Sequence, residues 1–438
     1  MAQTAQPIPK FSALFPLFVF VGTFLGVGIY QNDFYALPAP IAVIAGIVVA
    51  FIQFRQPINT KIASLLQGCG DDKILTMCLI YLLAGAFAAI TNATGSVDAI
   101  VNLGLDTIAI QYIYVGIFVI AGFLSVSTGT SVGAIVALAP IVVGFAANSS
   151  ADLAILCGAL LGGSMFGDNL SVISDTTIAA TQSLGTKMSA KFRQNIKIAI
   201  PAALGTVAIL VFQGLDLSIA AETAVNYEYD VLKISPYILV IVLSIAGLNV
   251  FITLFLGVLA AAILGIAYGD FTLLESTKIA YEGFTNMTEI FLLSLLTGGL
   301  AALVSLNGGI AFILENIKKL IKNKKTAELG IATLVSSINM AIANNTVSII
   351  IAGPIAKSIN DEYALDPKKT ASILDIFACI TQGLLPYGAQ VLMILSFSNG
   401  NIDYLDLMSN TWYLLLLLLY TLLFILFNPM RKAKSQSV

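Results

Sequence analysis

The sequence predicts an all-α polytopic membrane protein of about 11–14 transmembrane segments, folded as two inverted repeats with broken or re-entrant helices. Three observations carry that expectation. Of 438 residues, 58% are hydrophobic and only 10% are charged, with a mean hydropathy of +0.94; soluble domains are about a quarter charged. Fourteen apolar segments, from 11–30 to 411–428, can be placed along the chain, many of them near the ~20 residues that cross a bilayer. Finally, fragments of the first half recur in the second, in the same order.

The segments are 11–30, 38–54, 74–92, 112–128, 131–147, 152–168 and 197–214, then 236–250, 251–268, 287–306, 328–343, 346–358, 371–396 and 411–428. Several are too short or too polar for plain spans, which is the mark of broken or re-entrant helices. Basic residues cluster in four places: Arg55, Lys61 and Lys73; Lys187, Lys191, Arg193 and Lys197; five lysines between Lys318 and Lys325; and Arg431, Lys432 and Lys434. Threading the segments in order puts all four clusters, and both termini, on one side. The positive-inside rule makes that side the cytoplasm. The start, MAQTAQPIPK, has one lysine and leads to no cleavage site followed by a soluble domain, so a cleaved signal peptide is not expected. Four isolated cysteines read as packing thiols. No basic, aromatic-interleaved stretch suggests nucleic acid. The chain has no histidine, so any proton it carries must ride mainly on carboxylates.

The repeat is read from three matches. LAGAFAAITNATGSVDAIV from Leu83 lies over LTGGLAALVSLNGGIAFIL from Leu296, and TSVGAIVALAPI from Thr130 over NNTVSIIIAGPI from Asn344. GGSMFGDN from Gly162 lies over GLLPYGAQ from Gly383. Segment 74–92 threads outward and 287–306 inward, so the halves are expected to be inverted copies. The expected divisions are 1–73, an N-terminal hairpin and cytoplasmic loop; 74–215, repeat one; 216–286, connecting segments; 287–397, repeat two; and 398–438, a final helix and basic tail. Inverted repeats of broken helices around a midplane site are an alternating-access design.

Polar residues in this apolar chain mark the candidate site. Two hairpins, SVSTGTSVG (125–133) and INMAIANNTVS (338–348), interrupt apolar runs at equivalent places in the two halves. Thr128, Thr130 and Ser131 in one, and Asn344, Asn345 and Thr346 in the other, offer neutral groups beside freed backbone to coordinate Na⁺ or orient a substrate. The bland alternative is helix–helix hydrogen bonding. The sharper group is Asp168, Asn169, Asp175 and Thr176 in GGSMFGDNLSVISDTTIAATQ (162–182), with no neighbouring lysine or arginine before Lys187. A charged aspartate in a bilayer must pair, face water or be protonated. Such a carboxylate can exchange a cation for a proton, which makes Asp168 and Asp175 candidate Na⁺ ligands. Asp175 also reads as a helix N-cap. Asp375 in the second half is a candidate second titrating group, with Gln382 and Gln390 near it in sequence. FGD also resembles part of the GxGD signature of intramembrane aspartyl proteases. Met165 stands where that signature needs glycine, and the one Tyr-Asp pair, Tyr229-Asp230, falls in a polar external loop.

The stretch 162–180 resembles the signature of NhaC-type Na⁺/H⁺ antiporters, G-x-x-F-G-D-K-x-S-P-L-S-D-T-T-N-x-A-A. Phe166, Gly167, Asp168, Ser171, Ser174, Asp175, Thr176, Thr177, Ala179 and Ala180 match it. The resemblance extends to 127–131 and more loosely to 338–390. It implies a transporter, not an enzyme, in a bacterial inner membrane, with no cofactor and with Na⁺ and H⁺ as cargo. A homodimer is compatible with it. Asn169, Val172 and Ile178 depart from the pattern's Lys, Pro and Asn. These departures resemble the amino-acid-permease-like branch, so H⁺- or Na⁺-coupled amino-acid transport stands as the alternative to Na⁺/H⁺ exchange.

Overall fold

A computed structural model describes residues 8–31, 37–171, 174–215, 217, 229–246 and 248–427. Every regular element among them is helical. After a 3₁₀ turn at Phe11–Leu14 the first half contains α1 (Phe15–Gln31), α2 (Ala39–Gln53), α3 (Ile58–Cys69), α4 (Asp72–Ala93) and α5 (Ser96–Thr107). It continues through α6 (Ile113–Thr128), α7 (Ser131–Asn148), α8 (Leu153–Leu170), α9 (Asp175–Leu184) and α10 (Met188–Leu215). The second half likewise starts with a 3₁₀ turn, Val231–Ile234, and holds α11 (Ser235–Ile245), α12 (Val250–Tyr268), α13 (Leu273–Asn286), α14 (Thr288–Leu306) and α15 (Gly309–Leu320). Then come α16 (Lys324–Ile342), α17 (Asn345–Glu362), α18 (Pro367–Leu384), α19 (Ala389–Phe397), α20 (Tyr404–Ser409) and α21 (Trp412–Phe427). Among the described residues seven helical stretches are long and apolar enough to cross a membrane, and five shorter apolar helices accompany them. Two of the seven, Leu153–Leu184 and Pro367–Phe397, are each made of two helices. The chain is a polytopic helical membrane protein with broken spans.

Local chemistry places the breaks in register between the halves. Gly95 and Gly308 take left-handed conformations (φ 69° and 86°) before α5 and α15. Gly129 and Ala343 do so (φ 70° and 55°) at the ends of α6 and α16. Thr130 and Asn344 then cap α7 and α17 with side-chain oxygens, and Asp152 and Asp366 cap α8 and α18. Each cap satisfies backbone N–H groups that a helix start leaves open. The caps shift the third sequence match by two turns. Asp175 and Ala389 begin α9 and α19, so Asp168 corresponds to Gln382, whereas matching Gly162 to Gly383 sets it against Ala389. Runs of small residues align at several registers, but a cap has only one.

The correspondence also reaches beyond 74–215 and 287–397. The helices α1–α3 match α11–α13 in order, and each set packs on the opposite half: α3 on α14, and α13 on α4. Glycines allow both crossings. A side chain on Gly68 would strike the carbonyl of Gly298, and one on Gly85 the carbonyl of Gly283. Such close approach of small residues is how helices associate in lipid, where burial of apolar surface gives little driving force.

Two of the loop lysines turn inward. Lys61 is buried, and its ammonium donates to the carbonyls of Phe51 (2.6 Å) and Phe54 (3.1 Å) at the end of α2. Lys191 is only 1% exposed. The tail lysines and Arg431 lie outside the described residues.

Candidate functional site

The site is built where three helix breaks meet. Residue Asp168 lies in the last turn of α8, which packs closely on α6 because Gly163 and Gly167 leave no side chain between the two backbones. Its carboxylate is 4% exposed. Ser131, the first residue of α7 after the Gly129–Thr130 break, donates to Oδ2 at 2.9 Å. Ser174, just past the α8–α9 break, donates to Oδ1 at 2.5 Å, and its hydroxyl also bonds that of Thr176 at 2.8 Å. From the other half, Gln390 in the first turn of α19 donates to Ser131 Oγ at 3.0 Å. Asp168 makes no ion pair among the described residues. Two hydroxyls, those of Ser131 and Ser174, and the positive end of α7 are what hold its charge.

A second cluster lies beside it. Asp375 is fully buried in the middle of α18, and Lys191 from α10 pairs with its Oδ2 at 2.6 Å. The same ammonium donates to Thr177 Oγ1 (2.6 Å) and to the carbonyl of Asn169 (3.2 Å). Its three protons thus have three acceptors, on α8, α9 and α18. Asn195, one turn further along α10, donates to the Asn169 carbonyl (2.7 Å) and to Asp375 Oδ2 (2.9 Å). The hydroxyl of Ser372 donates to Asn195 Oδ1 at 2.6 Å. Several buried atoms around the two clusters have no protein partner: both amide atoms of Asn169, Asp375 Oδ1, and the Oε1 atoms of Gln382 and Gln390. Buried polar atoms rarely stay unpaired, so these atoms are the ones a small polar or ionic occupant would satisfy.

The structure sorts the sequence candidates. Asp168, Ser131 and Thr176 come together directly or through Ser174, and Asn169 with Asp375 forms the adjoining cluster. Asp175 does not join them: it stands exposed in the first turn of α9, and the cap position belongs to Ser174. The expected Asp168–Asp175 pair of Na⁺ ligands is therefore one buried and one exposed carboxylate. Thr130 and Asn344 act as helix caps, the latter accepting from Val347 N at 3.0 Å. Asn345, which accepts from Thr346 N at 2.9 Å, and Thr346 are half-buried. The side chain of Thr128 lies outside the described residues. Gln382 donates to the carbonyl of Ala343 at 3.2 Å and so ties α18 to the second break.

Four residues of these clusters were not among the site candidates: Ser174, noted only as a match to the signature, Lys191, noted only as a loop charge, and Asn195 and Ser372. The expectation that Asp168 has no basic partner agrees with the absence of an ion pair to it among the described residues, whereas Asp375, the candidate second titrating group, pairs with Lys191. A signal was present. Lys191 and Asn195 share a helical stripe with Ile198 and Ala202, all of them buried, whereas Arg193 and Lys197 lie on an exposed face.

The family of Na⁺/H⁺ antiporters matches the chain at residues 8–215 and again at 199–428. The chain is 24% identical over 351 residues to the Na⁺/H⁺ antiporter NhaC of Bacillus subtilis, covering 73% of this chain and 76% of that protein. It is 24% identical over 408 residues to the malate-2H⁺/Na⁺-lactate antiporter of the same organism, covering 86% and 87%. To the arginine/ornithine antiporter ArcD of Halobacterium salinarum it is 25% identical over 425 residues, covering 87% and 85%.

Proposed function

Because the chain belongs to the Na⁺/H⁺ antiporter family, we propose that it exchanges Na⁺ for H⁺ by alternating access, with Asp168 as the carboxylate that both ions use. One observation carries this reading. Asp168 is buried at the junction of the broken helices, and its oxygens are held by the hydroxyls of Ser131 and Ser174 with no ion pair among the described residues. A single unpaired carboxylate binds one monovalent cation at a time. In the empty site the hydroxyls donate to it. When Na⁺ arrives they turn and present lone pairs, so the same oxygens become ligands. A proton on the carboxylate cancels the charge that draws Na⁺, so the two ions exclude each other. Lys191 already neutralises Asp375, leaving Asp168 as the carboxylate whose charge the cargo must balance. In a bacterial inner membrane, the basic side and both termini would face the cytoplasm.

The test is exchange in proteoliposomes holding a pH-reporting dye. Na⁺ added outside should drive proton movement, and Asp168→Asn should reduce that signal to the level of empty vesicles while remaining folded. Undiminished exchange in Asp168→Asn overturns the assignment. The unpartnered amide of Asn169 favours a second reading, in which an amino acid binds beside Asp168 and Na⁺ or H⁺ drives it. In that case proton movement appears only when the amino acid is added.

A further inference from the structure

A cavity of about 590 Å³ opens where the Gly185–Lys187 turn meets the start of α10 and the start of α18. Lys187, Arg193 and Lys197 line it from the first half, and Lys368 lines it from the second. All four side chains are exposed, and no carboxylate is among the lining residues. None of the four forms an ion pair among the described residues. Other lysines of the chain do find partners: Lys319 with Glu315, Lys357 with Asp361, Lys369 with Glu328, and Lys233 with Asp270. Four unneutralised cations around one cavity repel one another, and the positive end of α10 adds to the field. A bound anion removes that repulsion.

We propose that this cavity is a binding site for a phosphate-class anion, either an anionic lipid headgroup or a soluble phosphate. Phosphate fits the donor set, since guanidinium and ammonium groups from several directions match its tetrahedral oxygens. The site faces the side that carries the basic clusters, where anionic lipids attract such groups. Its position also gives it leverage. Ala190, Gln194 and Lys197 form one stripe of α10, with Lys187 just ahead of it, and Lys191 and Asn195 form the next, so the anion and the Asp375 cluster would sit on adjacent faces of one helix. Lys368 precedes Asp375 by two turns on α18. An anion bridging Lys368 to Arg193 holds the ends of α10 and α18 together, and with them the Lys191–Asp375 pair.

The binding test is independent of transport. Thermal unfolding of the purified full chain in uncharged detergent is followed with added short-chain phosphatidylglycerol, phosphatidylcholine, inorganic phosphate, or sodium chloride of equal ionic strength. The expected result is a rise in melting temperature with a phosphate-bearing anion and none with phosphatidylcholine or chloride. Removing three exposed charges in Lys187→Gln/Arg193→Gln/Lys368→Gln should raise the midpoint concentration by roughly tenfold. A response to phosphatidylglycerol alone assigns the site to lipid; a response to inorganic phosphate as well assigns it to any phosphate anion. Should the triple variant fold poorly, Arg193→Gln and Lys368→Gln singly, both at exposed positions, must each weaken the response. Equal responses in wild type and variants, or no response to either phosphate probe, overturn the proposal.

Discussion

The two halves of this molecule build the same break from different materials. In the first, Gly129 turns the chain, Thr130 caps α7, and Ser131 donates to Asp168. In the second, Ala343 turns it, Asn344 caps α17, and Gln382, at the position related to Asp168, donates to the Ala343 carbonyl. One half presents a carboxylate and hydroxyls; the other presents amides that largely tie down the backbone. The scaffold is duplicated, whereas the chemistry is not. Symmetric breaks give an exchanger two related arrangements for its helices. Under the proposed exchange, a single Asp168 would give the cargo one place to bind.

The largest expected effect tests that asymmetry at its centre. Loss of exchange in Asp168→Asn, with Gln382→Ala retaining a Na⁺-driven dye signal, would support one chemical half and one scaffolding half. Equal loss in both would make the second half a partner in binding. Next comes the pair at the boundary. Asp375→Asn or Lys191→Met alone leaves a buried charge uncompensated and should cost about 3–5 kcal/mol. Lys191→Met with Asp375→Leu removes both charges and should recover most of that stability, as measured by unfolding in detergent. Lack of recovery would mean that Asn195 and Ser372 depend on the pair more than on packing.

A smaller effect separates the two hairpins. Ser131→Ala removes the hydroxyl oxygen that would turn toward bound Na⁺ and the donor that favours the ionised over the protonated carboxylate. Na⁺ thus loses a ligand while its competing proton gains, a change of about 1.5–3 kcal/mol. The Na⁺ concentration giving half-maximal exchange should therefore rise by about tenfold or more, since each 1.4 kcal/mol is tenfold. Asn345→Ala, at the related position, should change it less than about twofold, because its side-chain oxygen serves the neighbouring Thr346 N–H. If the two substitutions act alike, the hairpins share the cation.

How much of this was legible in the sequence follows from what each feature costs. Asp168 stands out because a carboxylate in an apolar run is expensive, and the breaks stand out because glycine, threonine and asparagine interrupt runs of leucine, isoleucine and alanine. Asp175 differs from Asp168 for a local reason: an exposed acid in a helix's first turn and a buried acid at a helix break look alike in sequence until burial is known. Lys191 was hidden by its neighbours. Lys187, Arg193 and Lys197 made it read as one more loop charge, and its partner Asp375 is distant along the chain. Only the packing of α10 against α18 brings them together.

The smallest prediction tests why the second break retains an alanine. Ala343 has φ 55°, a left-handed conformation that an L side chain adopts at about 1–2 kcal/mol. Gly129 takes the related turn without that cost. Such strain persists where surrounding contacts over-determine the backbone. Here they do: Gln382 donates to the Ala343 carbonyl, Tyr387 to the carbonyl of Met340 (2.8 Å), and Asn339 to that of Ala378 (2.8 Å). Ala343→Gly relieves the strain but adds freedom to the unfolded chain, which offsets roughly 0.5–1 kcal/mol of the gain. The net stabilisation should be at most about 1.5 kcal/mol in unfolding measurements. Gly129→Ala should destabilise by a similar amount, because it imposes on the first break the strain that the second already carries. If Ala343→Gly instead lowers stability, the alanine methyl is a packing contact, and the two breaks differ in their cores as well as in their chemistry.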